Sequence, residues 1–287
     1  MYKSLPEIKA MLKKNNKQVI VMIVLLILSM VMFFIFRPAA ILCLVAALLF
    51  YFLVVRPLQK EYTRVVIENH LLNTTCKYLG QKTVTEKGPG VITPELITAS
   101  QLMPVIVNKG TPLIMWQVAG TRMNLEMALA DTVLALPSSA SGGKGRIHQN
   151  VGVWSHVKLN NPTGLRFFAY TSNSIPESIL VNHMNKMTDF KSTRLPEGTT
   201  DKNIIYYVLK DDEKNIPPES FVSELKRFRN YTPGGIAVSV DDDHMDCFVY
   251  GRLLTGPVGL SKEVTQEFMN KDLFPEFNNI AALAQSL

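Results

Sequence analysis

From residue 19 to residue 55 the chain is apolar except for one charged side chain, Arg37, which is followed at once by Pro38. That run is far longer than the apolar core of a secretory signal. As one straight helix it would span roughly 55 Å, nearly twice the hydrocarbon thickness of a bilayer. Pro38 cannot sit inside a helix without losing a backbone hydrogen bond and clashing with the preceding turn. Arg37 can extend its guanidinium to lipid headgroups at the same point. The run therefore reads as a transmembrane hairpin, residues 19–36 and 38–55, each about 27 Å long as a helix.

Orientation follows from the basic residues at its ends. Five lysines precede the first span, with Lys13, Lys14 and Lys17 nearest to it; Arg56, Lys60 and Arg64 follow the second; the turn holds Arg37 alone. The excess of Lys and Arg on the terminal side predicts a two-pass protein with both termini in the cytoplasm.

The formal charge of +6 is unevenly placed. The first 18 residues carry five lysines against Glu7, Arg37 adds one, and the rest of the chain contributes only about +1. A near-neutral domain of mixed sign is a poor match for a polyanion, so nucleic acid is not an expected partner; the basic excess faces anionic lipid instead. The three cysteines, Cys43, Cys76 and Cys247, fit neither a disulfide framework nor a zinc pattern.

Residues 1–18 have the spacing of a capping box at Ser4 and Glu7, then Leu5, Ile8, Met11 and Leu12 on one helical face. They predict a short amphipathic helix on the membrane surface, or one docked on the soluble domain. Ala39, Cys43 and Ala47 recur every four residues in the second span, a small-residue face for packing against the first span or against another subunit.

Residues 56–82 read as a helical stalk and 83–287 as a cytoplasmic α+β domain with a largely antiparallel sheet and flanking helices. Residues 82–90 read as a break and 94–102 as a short helix. Strands are expected at 112–118 and 123–136, where Met123, Leu125, Met127, Leu129 and Val133 alternate with Asp131 as the exception. Residues 138–146 read as a loop, and 151–159 with 165–171 as a second hairpin. A helix at 176–187, a strand at 204–209, a helix from Pro217 with Phe221, Leu225 and Phe228 inward, a hairpin of 236–240 with 245–254, and helices at 262–269 and 275–287 complete the chain.

The basic N-terminal helix, the two-helix hairpin with one basic turn, the stalk and the late block LKRFRNYTPGGIAVSVDDDHMDCFVYG resemble a family of membrane-anchored bacterial proteins often encoded near LemA-type membrane proteins. The resemblance implies a bacterial inner-membrane protein and brings no catalytic residue with it.

Chemistry-bearing patterns are sparse. Gly142-Gly143-Lys144-Gly145 lacks the first glycine and the final Ser or Thr of a phosphate-binding loop. Asp241, Asp243 and His244 are the candidate metal ligands, yet the glycine and distal glutamate of a calcium loop are missing, and the preferred reading is a solvated hairpin tip with no metal. Cys247 reads as a core thiol. His70, His148, His156 and His183 lack metal-site spacing. Trp116 and Trp154 read as core, and Lys226, Arg227 and Arg229 as a solvated helix face. No cofactor is implied. The chain is thus expected to be a non-enzymatic membrane-anchored adaptor or scaffold that binds lipid, itself or another membrane protein. The alternatives are a membrane-bound metal-dependent hydrolase and a domain that binds a lipid or small ligand.

Overall fold

The computed structural model describes residues 4–79, 83–86, 90–105, 112–137, 147–171, 175, 177–187, 189–193, 203–210, 215–232, 234–254 and 274–287. Among the described residues two compact units divide within the third helix, between Asn73 and Thr74. The expected loop at 138–146 and helix at 262–269 lie outside the described residues.

The first unit contains two helices long and apolar enough to cross a membrane. Helix α1 (Leu5–Ile35) ends at Phe36, whose extended backbone (φ −152°, ψ 94°) is the whole turn. Helix α2 (Arg37–Phe50) opens with Arg37 and Pro38 in its first two positions, where the missing proline N–H is harmless. The two helices pack against each other, and the Ser29 hydroxyl donates to the Ala40 carbonyl at 2.9 Å across the seam. Ala40 and Ala47 are buried there, Ala39 and Cys43 partly so, while large side chains such as Ile27, Leu42 and Leu53 point outward. The small-residue face is thus taken up within the hairpin.

Two of the expected segments run on into their neighbours without interruption. No break separates α2 from the stalk: a π-helical turn (Tyr51–Val55) carries the helix into α3 (Arg56–Leu79). Pro57 has no N–H for the Leu53 carbonyl, and the widened turn, with the Arg56 amide bonded to Tyr51, absorbs that mismatch. The amphipathic segment is likewise continuous with the first span, because nothing between Lys17 and Val19 breaks a helix. Its apolar face packs on α3. Ile8 forms a buried cluster with Tyr62, Val65 and Val66 of α3, with Leu5, Met11 and Leu12 packed around it. At the start of α1 the Glu7 carboxylate accepts the Ser4 amide and hydroxyl at 2.7 Å each.

The second unit is α+β, built on a nine-stranded sheet in which every neighbouring pair is antiparallel, in the order β1-β2-β3-β4-β9-β8-β5-β7-β6. The strands are β1 (Thr83–Glu86), β2 (Leu113–Arg122), β3 (Leu125–Pro137), β4 (Ile147–Lys158), β5 (Arg166–Thr171), β6 (Phe190–Thr193), β7 (Ile204–Leu209), β8 (Ile236–Asp241) and β9 (His244–Tyr250). The helices are α4 (Pro94–Ala99), α5 (Glu177–Met184), α6 (Glu219–Tyr231) and α7 (Phe277–Gln285). Residues of α4 and α5 share one core with Leu134, Trp154, Tyr170 and Phe248. On the other face Phe221 of α6 meets Phe167 edge-on at 5.1 Å, and Phe277 of α7 stacks on Tyr78 at 5.3 Å. A sheet covered on both sides buries successive residues, so β8 and β9 are buried almost end to end, Ser239 and Asp246 included.

Gly120 of β2 is a point of close approach. A Cβ there would lie 2.6 Å from Leu79 Cβ and 2.7 Å from its carbonyl oxygen. Met123 stands in a two-residue turn with Asn124, both at positive φ (51° and 65°), and not in the strand where alternation had placed it. Such a turn matches the twist of the hairpin it closes. The two edge strands, β1 and β6, each have four residues; neither was expected, because so short a strand carries no period to read.

The expected pairing of residues 151–159 with 165–171 does not occur. β4 pairs with β9 and β5 with β8, so the β8–β9 hairpin lies between them. The link between β4 and β5 therefore passes the tip of that hairpin and binds it. Leu159 donates to the Asp243 carbonyl at 2.8 Å, Thr163 to the Asp242 carbonyl at 3.0 Å, and Asp242 to the Leu165 carbonyl at 2.8 Å.

Candidate functional site

Register sets the site. The β3–β4 pairing places Ala128 opposite His156, and the β4–β9 pairing places His156 opposite Asp246. Alternate residues on β4, Trp154, His156 and Lys158, share one face with Phe248, Asp246 and His244 on β9. Trp154 and Phe248 lie in the core beneath α4 and α5, whereas Lys158 is exposed. Asp246 sits at the border of the two environments.

Asp246 is 1% exposed, and its Oδ1 accepts from two donors, Trp154 Nε1 at 3.3 Å and His156 Nδ1 at 2.9 Å. An oxygen that already accepts an indole N–H is the acceptor toward the imidazole as well, so the proton of that bond belongs to Nδ1. This tautomer leaves Nε2 of a neutral His156 as an acceptor. Beside it, the rings of His156 and His244 are 5.3 Å apart. His244 Nε2 lies 3.9 Å from Asp246 Oδ2, while its Nδ1 meets Asp243 Oδ1 at 2.7 Å. The hydrogen bond from His244 holds the Asp243 carboxyl below its usual range.

His156 forms part of the wall of a cavity of about 380 Å³. Thr121, Glu126 and Lys158 line it with His156, over the small side chains of Ala119 and Ala128. Glu126 and Lys158 are direct cross-strand partners, both exposed. The site thus offers an oriented imidazole acceptor, a carboxylate, an ammonium and a hydroxyl around an apolar floor.

The residues singled out from the sequence fare differently. Asp241, Asp243 and His244 do not converge on one point. Asp241 faces Arg166 at 3.6 Å, Asp243 faces His244, and the intervening Asp242 carboxylate accepts the Gly164 amide at 2.8 Å. The acidic tip is bound on its backbone side by the β4–β5 link, and Asp242 and Asp243 remain exposed, as a solvated tip requires. Among the described residues no three His, Cys, Asp or Glu side chains gather in a metal-binding arrangement. Cys247 lies in the core on the opposite face, and burial, with a smaller contribution from Asp246, pushes its thiol pKa far up. His183 donates from Nε2 to the Gln101 carbonyl at 2.7 Å, and burial lowers its pKa. Arg227 pairs with Glu224 one turn back on α6 at 2.6 Å. Lys13, Lys14, Lys17, Arg37 and Arg56 are exposed, with Arg37 over the Phe33 ring and Arg56 over the Phe52 ring, each at 5.7 Å.

Sequence reasoning missed His156 with Asp246. The signal available was the period-two spacing of Trp154, His156 and Lys158 on one strand and His244 with Asp246 on another; their pairing across 90 residues has no local signature. Compared with protein-family models, curated proteins and solved structures, the chain matches none.

Proposed function

We propose that this chain is a membrane-anchored adaptor or scaffold subunit of a bacterial inner-membrane assembly, without enzymatic activity of its own. In this reading the hairpin crosses the membrane twice, and both termini and the α+β domain lie in the cytoplasm. The observation that carries it is the division of faces in the hairpin: small residues and Ser29 face the partner helix, while large apolar side chains face outward. A helix pair built that way needs hydrocarbon around it. The lysines before α1 and Arg56, Lys60 and Arg64 after α2, against a single arginine in the turn, support the cytoplasmic placement. Confinement to the membrane plane raises the effective concentration of a binding domain without any new contact, which is the advantage of anchoring an adaptor.

Two measurements test this. Reporters active on only one side of the membrane, fused in turn at Met1 and after Leu287, should both report cytoplasm. Cross-linking in intact membranes should trap the chain with a second copy or with another membrane protein. A C-terminal reporter found outside the cell excludes the topology, and a chain that cross-links only to lipid excludes the adaptor role.

A further inference from the structure

The cavity beside His156 has no part in anchoring, so its occupant is a separate matter from the membrane hairpin. The geometry points to a small neutral polyol, a monosaccharide ring with neighbouring hydroxyl groups, seated on Ala119 and Ala128 with its hydroxyl edge against Thr121, Glu126 and Lys158.

Strand register lays the lining out as two rows on one face of the sheet. Thr121, Glu126 and Lys158 are successive cross-strand partners in the first row, which His244 continues on β9. Ala119, Ala128 and His156 form the second row, which Asp246 continues. One side of the cavity is therefore wholly polar, and its floor is two methyl groups. Direct cross-strand neighbours have Cβ atoms about 5 Å apart, so the Glu126 carboxylate and the Lys158 ammonium stand side by side. Both residues are exposed, and neither has a hydrogen-bond or ion-pair partner among the described residues. A cation laid across this pair meets Lys158 and an anion meets Glu126, so neither sign of charge is favoured. A hydroxyl group both donates and accepts. Two hydroxyls on adjacent carbons can lie across the pair, one donating to Glu126 and the other accepting from Lys158, with the Thr121 hydroxyl beside them. His156 joins in whatever its charge. Its Nδ1–H is held by Asp246, and a hydroxyl serves Nε2 both as an acceptor in the neutral ring and as a donor in the protonated one. The C–H face of a sugar ring suits the two alanines. No Phe, Tyr or Trp is among the lining residues, so a nucleobase finds no ring of that kind to stack on. The volume, about 380 Å³, lies within the range of small-ligand pockets.

The test uses the full-length chain in a zwitterionic detergent without a sugar headgroup, with the side-chain resonances of ¹³C-labelled histidine as the readout. The probes are the methyl glycosides of D-glucose, D-mannose and D-galactose. Tetrahydropyran-2-methanol, which keeps the ring and lacks the ring hydroxyls, and inorganic phosphate are the controls. At least one glycoside should shift the His156 resonance saturably, the tetrahydropyran should bind about tenfold more weakly or worse, and phosphate should give no saturable shift. Glu126→Ala and Lys158→Ala should each weaken that glycoside about fivefold or more. Both positions are exposed, so these variants should melt within a few degrees of wild type. In nanodiscs of phosphatidylcholine with about a tenth of monoglucosyl diacylglycerol, the same shift without added glycoside assigns a glycolipid headgroup as the source, and its absence assigns a free sugar. The assignment is overturned if no glycoside gives a saturable shift, if the tetrahydropyran or phosphate binds as tightly, or if either well-folded variant binds like wild type.

Discussion

The carboxylate of Asp242 accepts the backbone amide of Gly164 at 2.8 Å, joining two turns that are 78 residues apart in the chain. Asp242 sits at positive φ (49°), its amide donates to Leu165, and its carbonyl accepts from Thr163. One residue thus ties the β8–β9 tip to the link that carries the chain from β4 past two strands to β5.

Replacing Asp242 with alanine removes the side-chain acceptor and leaves a Cβ in the left-handed region without local support. The expected loss is about 1–2 kcal/mol. Asp242→Asn keeps an acceptor and tolerates that backbone, so it should lose less than half as much. Urea unfolding of the two variants in detergent measures the difference; equal losses would show that the carboxylate bond to Gly164 contributes nothing.

Ser29 and Ala47 test the seam of the hairpin separately. Ser29→Ala removes one interhelical hydrogen bond and should cost about 0.6 kcal/mol, the average for such bonds in membranes. Ala47, 1% exposed, has no room for a larger side chain. Ala47→Leu should force α1 and α2 apart and lower the thermal stability of the reconstituted chain much more than Ser29→Ala does. If Ala47→Leu melts like wild type, α1 and α2 are not in close contact at this position.

Glu276 gives a pH dependence. Its carboxyl is buried, and burial raises its pKa above the ordinary 4.5 despite Arg252 Nε at 3.3 Å. The unfolded chain therefore releases this proton at lower pH than the folded chain does. Between the two values the folded state binds more protons, so this group's contribution is favourable in acid and is lost as pH rises through the folded-state pKa. Glu276→Gln should melt higher than wild type at pH 7, and the gain should shrink as pH is lowered toward 4. A variant less stable than wild type at pH 7 would mean that attraction to Arg252 outweighs desolvation.

Gly120→Ala places a methyl group against backbone and Cβ atoms of Leu79 where no flexible side chain can yield. Overpacking of this kind costs about 1–3 kcal/mol. The shift should appear in thermal unfolding of the domain while membrane insertion of the hairpin, read by fractionation, is unchanged. An unchanged melting temperature would show that the end of α3 is not seated on β2.

Local patterns made several elements legible. The helix face of Phe221, Leu225 and Phe228 and the pairing of β8 with β9 need only neighbouring residues, and the strand at Ile204–Leu209 matches its expected bounds. The candidate site was less so. Trp154 was assigned to the core, where it lies, but its indole N–H also completes the shell of Asp246, a role that its hydrophobicity conceals. The acidic tip held the candidate metal ligands only because its carboxylates are adjacent in sequence, and a solvated tip was the preferred reading; the structure gives each carboxylate a separate partner.

The sequence by itself determined the membrane hairpin and the α+β character of the domain after it, because hydrocarbon thickness, helix rise and hydrophobic period act over a few turns of chain. Only the tertiary structure decided that β9 and β8 lie between β4 and β5, that the amphipathic start of α1 packs on α3, and that His156 meets Asp246. Those outcomes depend on which distant surfaces bury one another. A sheet covered on both faces erases the alternation that would have revealed its neighbours in advance.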